Sequence, residues 1–226
     1  MQLDLNLPAP YQPHAGLMAA FEVCPLIAIL RGVTPADAAD QGRALYEAGF
    51  RIIEVPLNSP NPFDSISAIR QALPADCIVG AGTVLRGELV HDVKAAGGEL
   101  IVMPHSDPEV VTTAKSLAMA CAPGVATMTE AFIALKNGAD VLKMFPAEQL
   151  GCQIVKAWRA VLHKDVPLLP VGGIAPDNMG PFLTAGANGF GLGSALYKPG
   201  QPATTTGSHA KAFINGLRIA RASVKK

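Results

Sequence analysis

The sequence carries no excess charge: 18 Lys and Arg balance 18 Asp and Glu. A chain without a basic surplus offers no electrostatic footprint for nucleic acid and no polybasic face for an anionic membrane. It also has no apolar run near the roughly 18 residues that a spanning helix needs. CxxC pairs are absent, and the four cysteines (Cys24, Cys77, Cys121, Cys152) lie far apart. They read as reduced, mostly buried thiols of a cytoplasmic protein. The five histidines (His14, His91, His105, His163, His209) show no metal-ligand spacing, so no metal site is expected. Residues 1–13 hold three prolines, one acid and no basic residue. That composition excludes a signal peptide and reads as a loose N-terminal arm.

What the chain does have is hydrophobic residues, 50% of its 226. That length suits one large α/β domain or two small ones, and a barrel of alternating strands and helices takes about 200–250 residues. After a short helix from His14 to Val23, with Leu17, Met18 and Phe21 at helical spacing, the pattern settles. Strand-like runs begin near Leu26, Arg51, Cys77, Leu100, Met119, Ala139, Pro167 and Gly189. They recur at intervals of roughly 20 to 27 residues, each followed by a helical segment. Turn chemistry separates them: Thr34-Pro35 opens a helix, and Gly49, Gly97-Gly98, Asn137-Gly138 and Gly186 close others. The strands are continuously apolar, as in a parallel sheet covered on both faces. With no break in composition, eight such units predict a single (β/α)8 TIM barrel over residues 1–226, with the short extra helix at its N-terminus.

One strand is unusual. Ala139-Asp140-Val141-Leu142-Lys143-Met144-Phe145-Pro146 places a lysine within an apolar run. Alternation puts Val141, Lys143 and Phe145 on one face, and Leu142 and Met144 on the other. Burial lowers the pKa of an ammonium, and a neutral amine is a nucleophile toward carbonyl compounds. A strand-end lysine reaching water, or one paired with a carboxylate, is the plainer alternative.

In such barrels the active site lies at the carboxyl ends of the strands. Those ends supply Arg31, Glu54, Thr83, Pro123, Lys143, Gly172-Gly173 and Gly193-Ser194. Arg31 and Glu54 also fit a structural ion pair, Thr83 a turn or cap, and Gly-Gly a tight turn. The glycine turns after the last two strands suit phosphate, because glycine lets backbone N–H groups approach an anion closely, and Ser194 adds a hydroxyl. A lysine, one carboxylate and a phosphate cradle together suit Schiff-base chemistry on a phosphorylated keto compound. The amine attacks the ketone and water leaves. The iminium then accepts electrons as a C–C bond breaks, while a general base moves protons. Glu54 is the strand-end acid for that role. Arg31 and Thr83 are placed for a substrate carboxylate, and Phe145 for covering the reacting centre.

Six stretches carry a resemblance. They are Ile27-Ala28-Ile29-Leu30-Arg31-Gly32, Glu54-Val55-Pro56-Leu57-Asn58-Ser59-Pro60, Gly80-Ala81-Gly82-Thr83-Val84-Leu85, Leu142-Lys143-Met144-Phe145-Pro146, Pro170-Val171-Gly172-Gly173-Ile174 and Gly191-Leu192-Gly193-Ser194. In this order, over about residues 17–222, the chain resembles the bacterial 2-keto-3-deoxy-6-phospho-aldonate aldolases of the class I, pyruvate-forming kind. The resemblance implies Lys143 as the Schiff-base lysine and Glu54 as general acid/base. It implies Arg31 and Thr83 at the pyruvoyl end, and Gly172, Gly173, Gly193 and Ser194 near the phosphate. It also implies a homotrimer and no cofactor. Gluconate-type members carry arginine where Asn58 stands and threonine where Val171 stands; in this respect the chain resembles the galactonate type. The implied substrate is 2-dehydro-3-deoxy-6-phosphogalactonate, cleaved to pyruvate and glyceraldehyde 3-phosphate. The same reaction on the gluconate epimer, a sugar-phosphate isomerase or epimerase, and a non-catalytic sugar-phosphate binder remain the alternatives.

Overall fold

A computed structural model describes residues 11–224. In chain order the elements are α1 (Ala15–Val23), β1 (Leu26–Ile29), α2 (Pro35–Ala48), β2 (Ile52–Pro56), α3 (Pro62–Ala72) and β3 (Ile78–Gly82). Next come α4 (Glu88–Ala95), β4 (Leu100–Val102), α5 (Pro108–Ser116), β5 (Ala120–Ala122), β6 (Gly124–Val125) and α6 (Met128–Lys136). The last are β7 (Leu142–Met144), α7 (Ala147–Arg159), β8 (Leu168–Pro170), α8 (Met179–Thr184), β9 (Phe190–Leu192) and α9 (Ala203–Val224).

Local chemistry sets many of these ends. Proline occupies the first turn of α2, α3 and α5, where its missing N–H is not needed. Thr127 and Glu130 form a reciprocal capping box on α6. Gly49 closes α2 at φ 112°, a conformation that favours glycine. Two helices depart from expectation. The sequence pattern predicts a helix near Gln153 to Leu162, and α7 starts earlier because Gly151 (φ 72°) joins a first turn to the longer segment that follows. The pattern also predicts a helix near Pro176 to Ala185, of which α8 forms only 6 residues.

Every strand pairing is parallel. The strands form a six-stranded sheet in the order β5-β4-β3-β2-β1-β9 and a three-stranded sheet β6-β7-β8. All eight expected strand runs are present, but the fifth is divided. Pro123 has no N–H to donate, and β5 and β6 on either side of it belong to different sheets. Hydrogen bonds still cross both seams. Asp140 N–H donates to the Cys121 carbonyl (3.0 Å) and Lys143 N–H to the Pro123 carbonyl (2.9 Å). On the other side Asn188 N–H donates to the Leu168 carbonyl (3.0 Å), and Val171 bridges Gly191.

Alternation along the strands divides the core in two. Leu26, Ala28, Ile53, Val55, Leu142 and Met144 pack outward against the helices. Ile27, Ile52, Ile78, Leu100, Ala120, Val141 and Leu169 form an inner cluster. Leu17 and Ala20 of α1 join that cluster, with Met18 and Phe21 against it, so α1 plugs the end where the strands begin.

Of the expected loose arm at 1–13, residues 1–10 lie outside the described residues. Its described end is tied down: the Tyr11 hydroxyl donates to the Asp140 carbonyl.

Candidate active site

Glu54 is the third residue of β2, in register with Ile29 of β1 and Gly80 of β3. It therefore sits deeper than the strand-end position that sequence alone suggests. Lys143 is the central residue of β7, between Gly124 and Leu169 of the neighbouring strands. Both side chains share one cavity with Ile27, Ile29, Val102, Ala122, Leu169, Val171 and Gly191. The space there is narrow, and its walls are otherwise apolar.

Burial governs the electrostatics. Glu54 is 2% exposed and Lys143 8%. Loss of water raises the Glu54 carboxyl from 4.5 to about 7, although the Lys143 and Arg31 charges pull the other way. The same loss of water pushes the Lys143 ammonium below its ordinary range, opposed by the Glu54 charge and aided by Arg31. No ion pair within 4.0 Å joins Glu54 to Lys143 or to Arg31 among the described residues, so neither expected structural pairing is formed. The Glu54 Oε2 is buried without a hydrogen-bond partner among the described residues. The Phe145 ring lies half-buried, with its centroid 5.0 Å from Lys143 Nζ. An aromatic face at that distance attracts an ammonium more weakly than a carboxylate would.

The remaining expected residues surround this pair. Arg31 is exposed in the turn after β1 and donates to Asn58 Oδ1 at 2.6 Å, so Asn58 helps to aim the guanidinium. Gly32 N–H donates to the buried Ser59 Oγ (2.9 Å), which ties the turns after β1 and β2 together. Thr83 follows β3 at φ 56°, an uncommon and strained conformation for a β-branched residue. It does not cap α4, which starts at Glu88 behind Gly87. Pro123 contributes its backbone carbonyl to Lys143 N–H.

Val171 is buried and bridges Gly191, so the loops after β8 and β9 leave the sheet side by side. Gly172 (φ 108°) and Gly173 (φ 67°) adopt backbone conformations that favour glycine. Gly193 leads into a turn in which its carbonyl accepts from Leu196 N–H (2.9 Å) and Tyr197 N–H (3.1 Å), and Ser194 is exposed. No helix starts directly at either glycine turn, since α8 begins at Met179 and α9 at Ala203. An anion held there would rely on loop N–H groups rather than a helix end.

Sequence reasoning missed three participants. Ser59 stood in the sequence only within the Glu54 to Pro60 stretch that carries the resemblance. Glu148 lies over Gly173, where a Cβ would come 2.7 Å from its Oε2. Gly82 lies under the Glu54 carboxyl; its signal was the glycine pair at 80 and 82 on the face that Glu54 shares. Among the described residues there is no group of His, Cys, Asp and Glu able to hold a metal ion, and no helix long and apolar enough to cross a membrane.

The chain is similar to known proteins over most of its length. The sequence profile of the KDPG and KHG aldolases matches residues 17–203. The 2-dehydro-3-deoxy-6-phosphogalactonate aldolase of Escherichia coli is 45% identical over 87% of this chain and 96% of its own length. A probable 2-dehydro-3-deoxy-6-phosphogalactonate aldolase of Rhizobium meliloti is 47% identical over 79% of this chain and 84% of its own. A solved structure described as native KDPGal superposes with a TM-score of 0.86 at 45% identity, covering 88% of this chain and 96% of that one. The 2-keto-3-deoxy-6-phosphogluconate aldolase of Zymomonas mobilis superposes at 0.79 with 25% identity, covering 89% of this chain and 96% of that one. A buried, unpaired lysine beside a buried, unpaired glutamate is thus found in a chain that belongs to the KDPG and KHG aldolase family.

Proposed function

We propose that the protein is a class I aldolase that cleaves 2-dehydro-3-deoxy-6-phosphogalactonate to pyruvate and glyceraldehyde 3-phosphate. One observation carries the reading: Lys143 and Glu54 line one apolar cavity, each desolvated and neither ion-paired to the other. A structural pair would be in contact; a nucleophile and its proton shuttle need space for a substrate between them.

The Lys143 amine attacks the C2 ketone to form a carbinolamine, which loses water to give an iminium. The C4 hydroxyl then gives up its proton and the C3–C4 bond breaks. Its electrons flow to the iminium nitrogen, leaving an enamine and releasing glyceraldehyde 3-phosphate. Protonation at C3 and hydrolysis return pyruvate and the free amine. Glu54, titrating near neutrality, takes and returns each proton. The electron sink is the iminium itself. Arg31, held by Asn58, and Thr83 bind the carboxylate, while Phe145 shields the amine from water. Gly172, Gly173, Gly193 and Ser194 receive the phosphate. Val171 turns methyl groups into the cavity and so withholds a hydrogen bond from the C4 hydroxyl. That, together with Asn58, favours the galactonate epimer over the gluconate one. The identities of 45% and 47% to galactonate-type enzymes, against 34% to a gluconate-type relative, support the same preference.

We infer further that the strands close into a single-domain (β/α)8 barrel, supported by the hydrogen bonds across both seams. A cytoplasmic homotrimer is the assembly in keeping with the family.

Borohydride reduction in the presence of pyruvate, followed by peptide mass spectrometry, tests the chemistry. The expected product is a reduced pyruvate adduct on Lys143. Its absence from folded protein would refute the aldolase and favour a sugar-phosphate isomerase or binder. Turnover of the two epimers, compared side by side, then tests the substrate.

A further inference from the structure

Strand β3 carries two glycines on its inward face, Gly80 and Gly82, and they clear space for different things. A Cβ added at Gly80 would lie 2.0 Å from the backbone oxygen of Leu100 in β4. That clash is with the neighbouring strand, so Gly80 is required by the sheet itself. A Cβ at Gly82 would lie 1.6 Å from Oε2, 2.3 Å from Cδ and 2.6 Å from Oε1 of Glu54. All three of its nearest atoms belong to one carboxyl group, the far end of a side chain with rotatable bonds. The volume of the missing Gly82 side chain is occupied by the acid.

Among the described residues no hydrogen bond to Oε2 fixes that end of Glu54. The cavity walls beside it are apolar. The carboxyl is held by shape rather than by donors, and the floor of its niche is the bare backbone of Gly82. Gly82 has no need of glycine for its backbone conformation, because it is not among the residues at positive φ. Alanine there meets no positive-φ strain, and the three atoms nearest its methyl all belong to the carboxyl.

We propose that Gly82 is a positioning residue of the active site: its absent side chain is the space that holds the Glu54 carboxyl toward the Lys143 cavity. The proposal rests on the aldolase reading of Glu54 for its kinetic consequence, and on geometry alone for its steric one. A methyl group at position 82 drives the carboxyl from its niche while Arg31, Asn58 and the glycine turns keep their places. Chemistry then suffers more than binding. Displacing a catalytic group by about 1 Å costs on the order of 10²-fold in rate.

The test compares wild type with Gly82→Ala, Glu54→Asp and the double variant, reading kcat, KM and thermal midpoint. Gly82→Ala is expected to lose about 10²-fold in kcat with little change in KM. In the double variant the shorter acid withdraws its carboxyl by one methylene from the new methyl, so it should turn over faster than Gly82→Ala alone. A Gly82→Ala variant near the wild-type rate would overturn the proposal, as would a double variant whose loss equals the product of the two single losses. If Gly82→Ala fails to fold, Gly82→Ala in a Glu54→Ala background decides. Recovery of folding is expected there, because the niche is empty, and failure to recover places the clash elsewhere. A wild type that forms no pyruvate adduct refutes the aldolase reading on its own, and the folding comparison still tests the niche.

Discussion

Two buried carboxylates differ in what surrounds them. Asp140 precedes β7 and is fully buried; the Lys115 ammonium lies 2.7 and 2.9 Å from its two oxygens, and N–H groups of His14 and Cys121 donate to it at 2.6 and 2.7 Å. Glu54 is nearly as buried, but its Oε2 has no partner among the described residues, and Lys143 shares its cavity without contact. The first is a structural acid. Its charge is met on several sides, and it ties the end of the N-terminal arm, α5 and β5 to the start of β7. The second is an acid kept wanting, at a cost in stability, beside an amine kept wanting too. Buried polar groups are normally satisfied, and exceptions need a reason. Under the proposed function the reason is a cavity that receives its polar partners with the substrate.

Lys143→Met should break the comparison most severely. Removing the covalent route forfeits most of the roughly 10⁶-fold or greater acceleration typical of enzymes. Replacing the buried amine with a thioether removes a desolvated polar group and should leave the fold intact. Activity assays paired with denaturant unfolding check both halves.

Glu54→Gln should lower kcat by about 10²- to 10⁴-fold. Its stability effect carries a sign. The folded carboxyl titrates at about 7, against 4.5 for an ordinary one. Between those values the folded state holds a proton that the unfolded chain has lost, so wild-type stability falls as pH rises through the window. Above about 7 the desolvation penalty is felt in full. Melting curves from pH 4 to 8 should show wild type losing ground to Glu54→Gln as pH rises. The kcat/KM profile of wild type should bend near neutrality and that of the variant should not.

Asp140→Ala should do the reverse. It leaves Lys115 and two N–H groups without their acceptor, at a cost of roughly 3–5 kcal/mol. The turnover of the molecules that remain folded should stay near wild type. A large kcat defect in folded Asp140→Ala would mean that the two acids are not separable into structure and chemistry.

Asn58→Ala should have the smallest effect. It removes one exposed hydrogen bond from Arg31, and KM for the substrate is expected to rise about two- to tenfold with kcat little changed.

Much of this was legible beforehand. The eight apolar runs and their turn residues specify parallel strands and helices, because continuous Val, Ile and Leu can be buried on both faces only in such a sheet. The facing of Val141 and Lys143 away from Leu142 and Met144 followed from strand alternation alone. Less legible was depth. Glu54 reads as a strand-end residue but is the middle of β2, since the strand continues through Pro56. The early start of α7 was hidden by Gly151, whose positive φ interrupts the helical path between the first turn and the segment that follows. The unanchored look of residues 11–13 gave no hint that Tyr11 would find the Asp140 carbonyl, 129 positions away.

By itself, then, the sequence determined the element types, the lysine's face and the set of polar residues available at the strand ends, because these depend on local periodicity and turn chemistry. Tertiary structure alone decided which of the buried charges would be answered. Asp140 meets Lys115 because α5 passes beside the start of β7, whereas Glu54 and Lys143 face each other across a cavity with no donor between them. It also decided that Gly82 would lie under Glu54, a contact between neighbouring strands that depends on register and side-chain direction. Pairing across strands is non-local, and no periodicity within one strand encodes it.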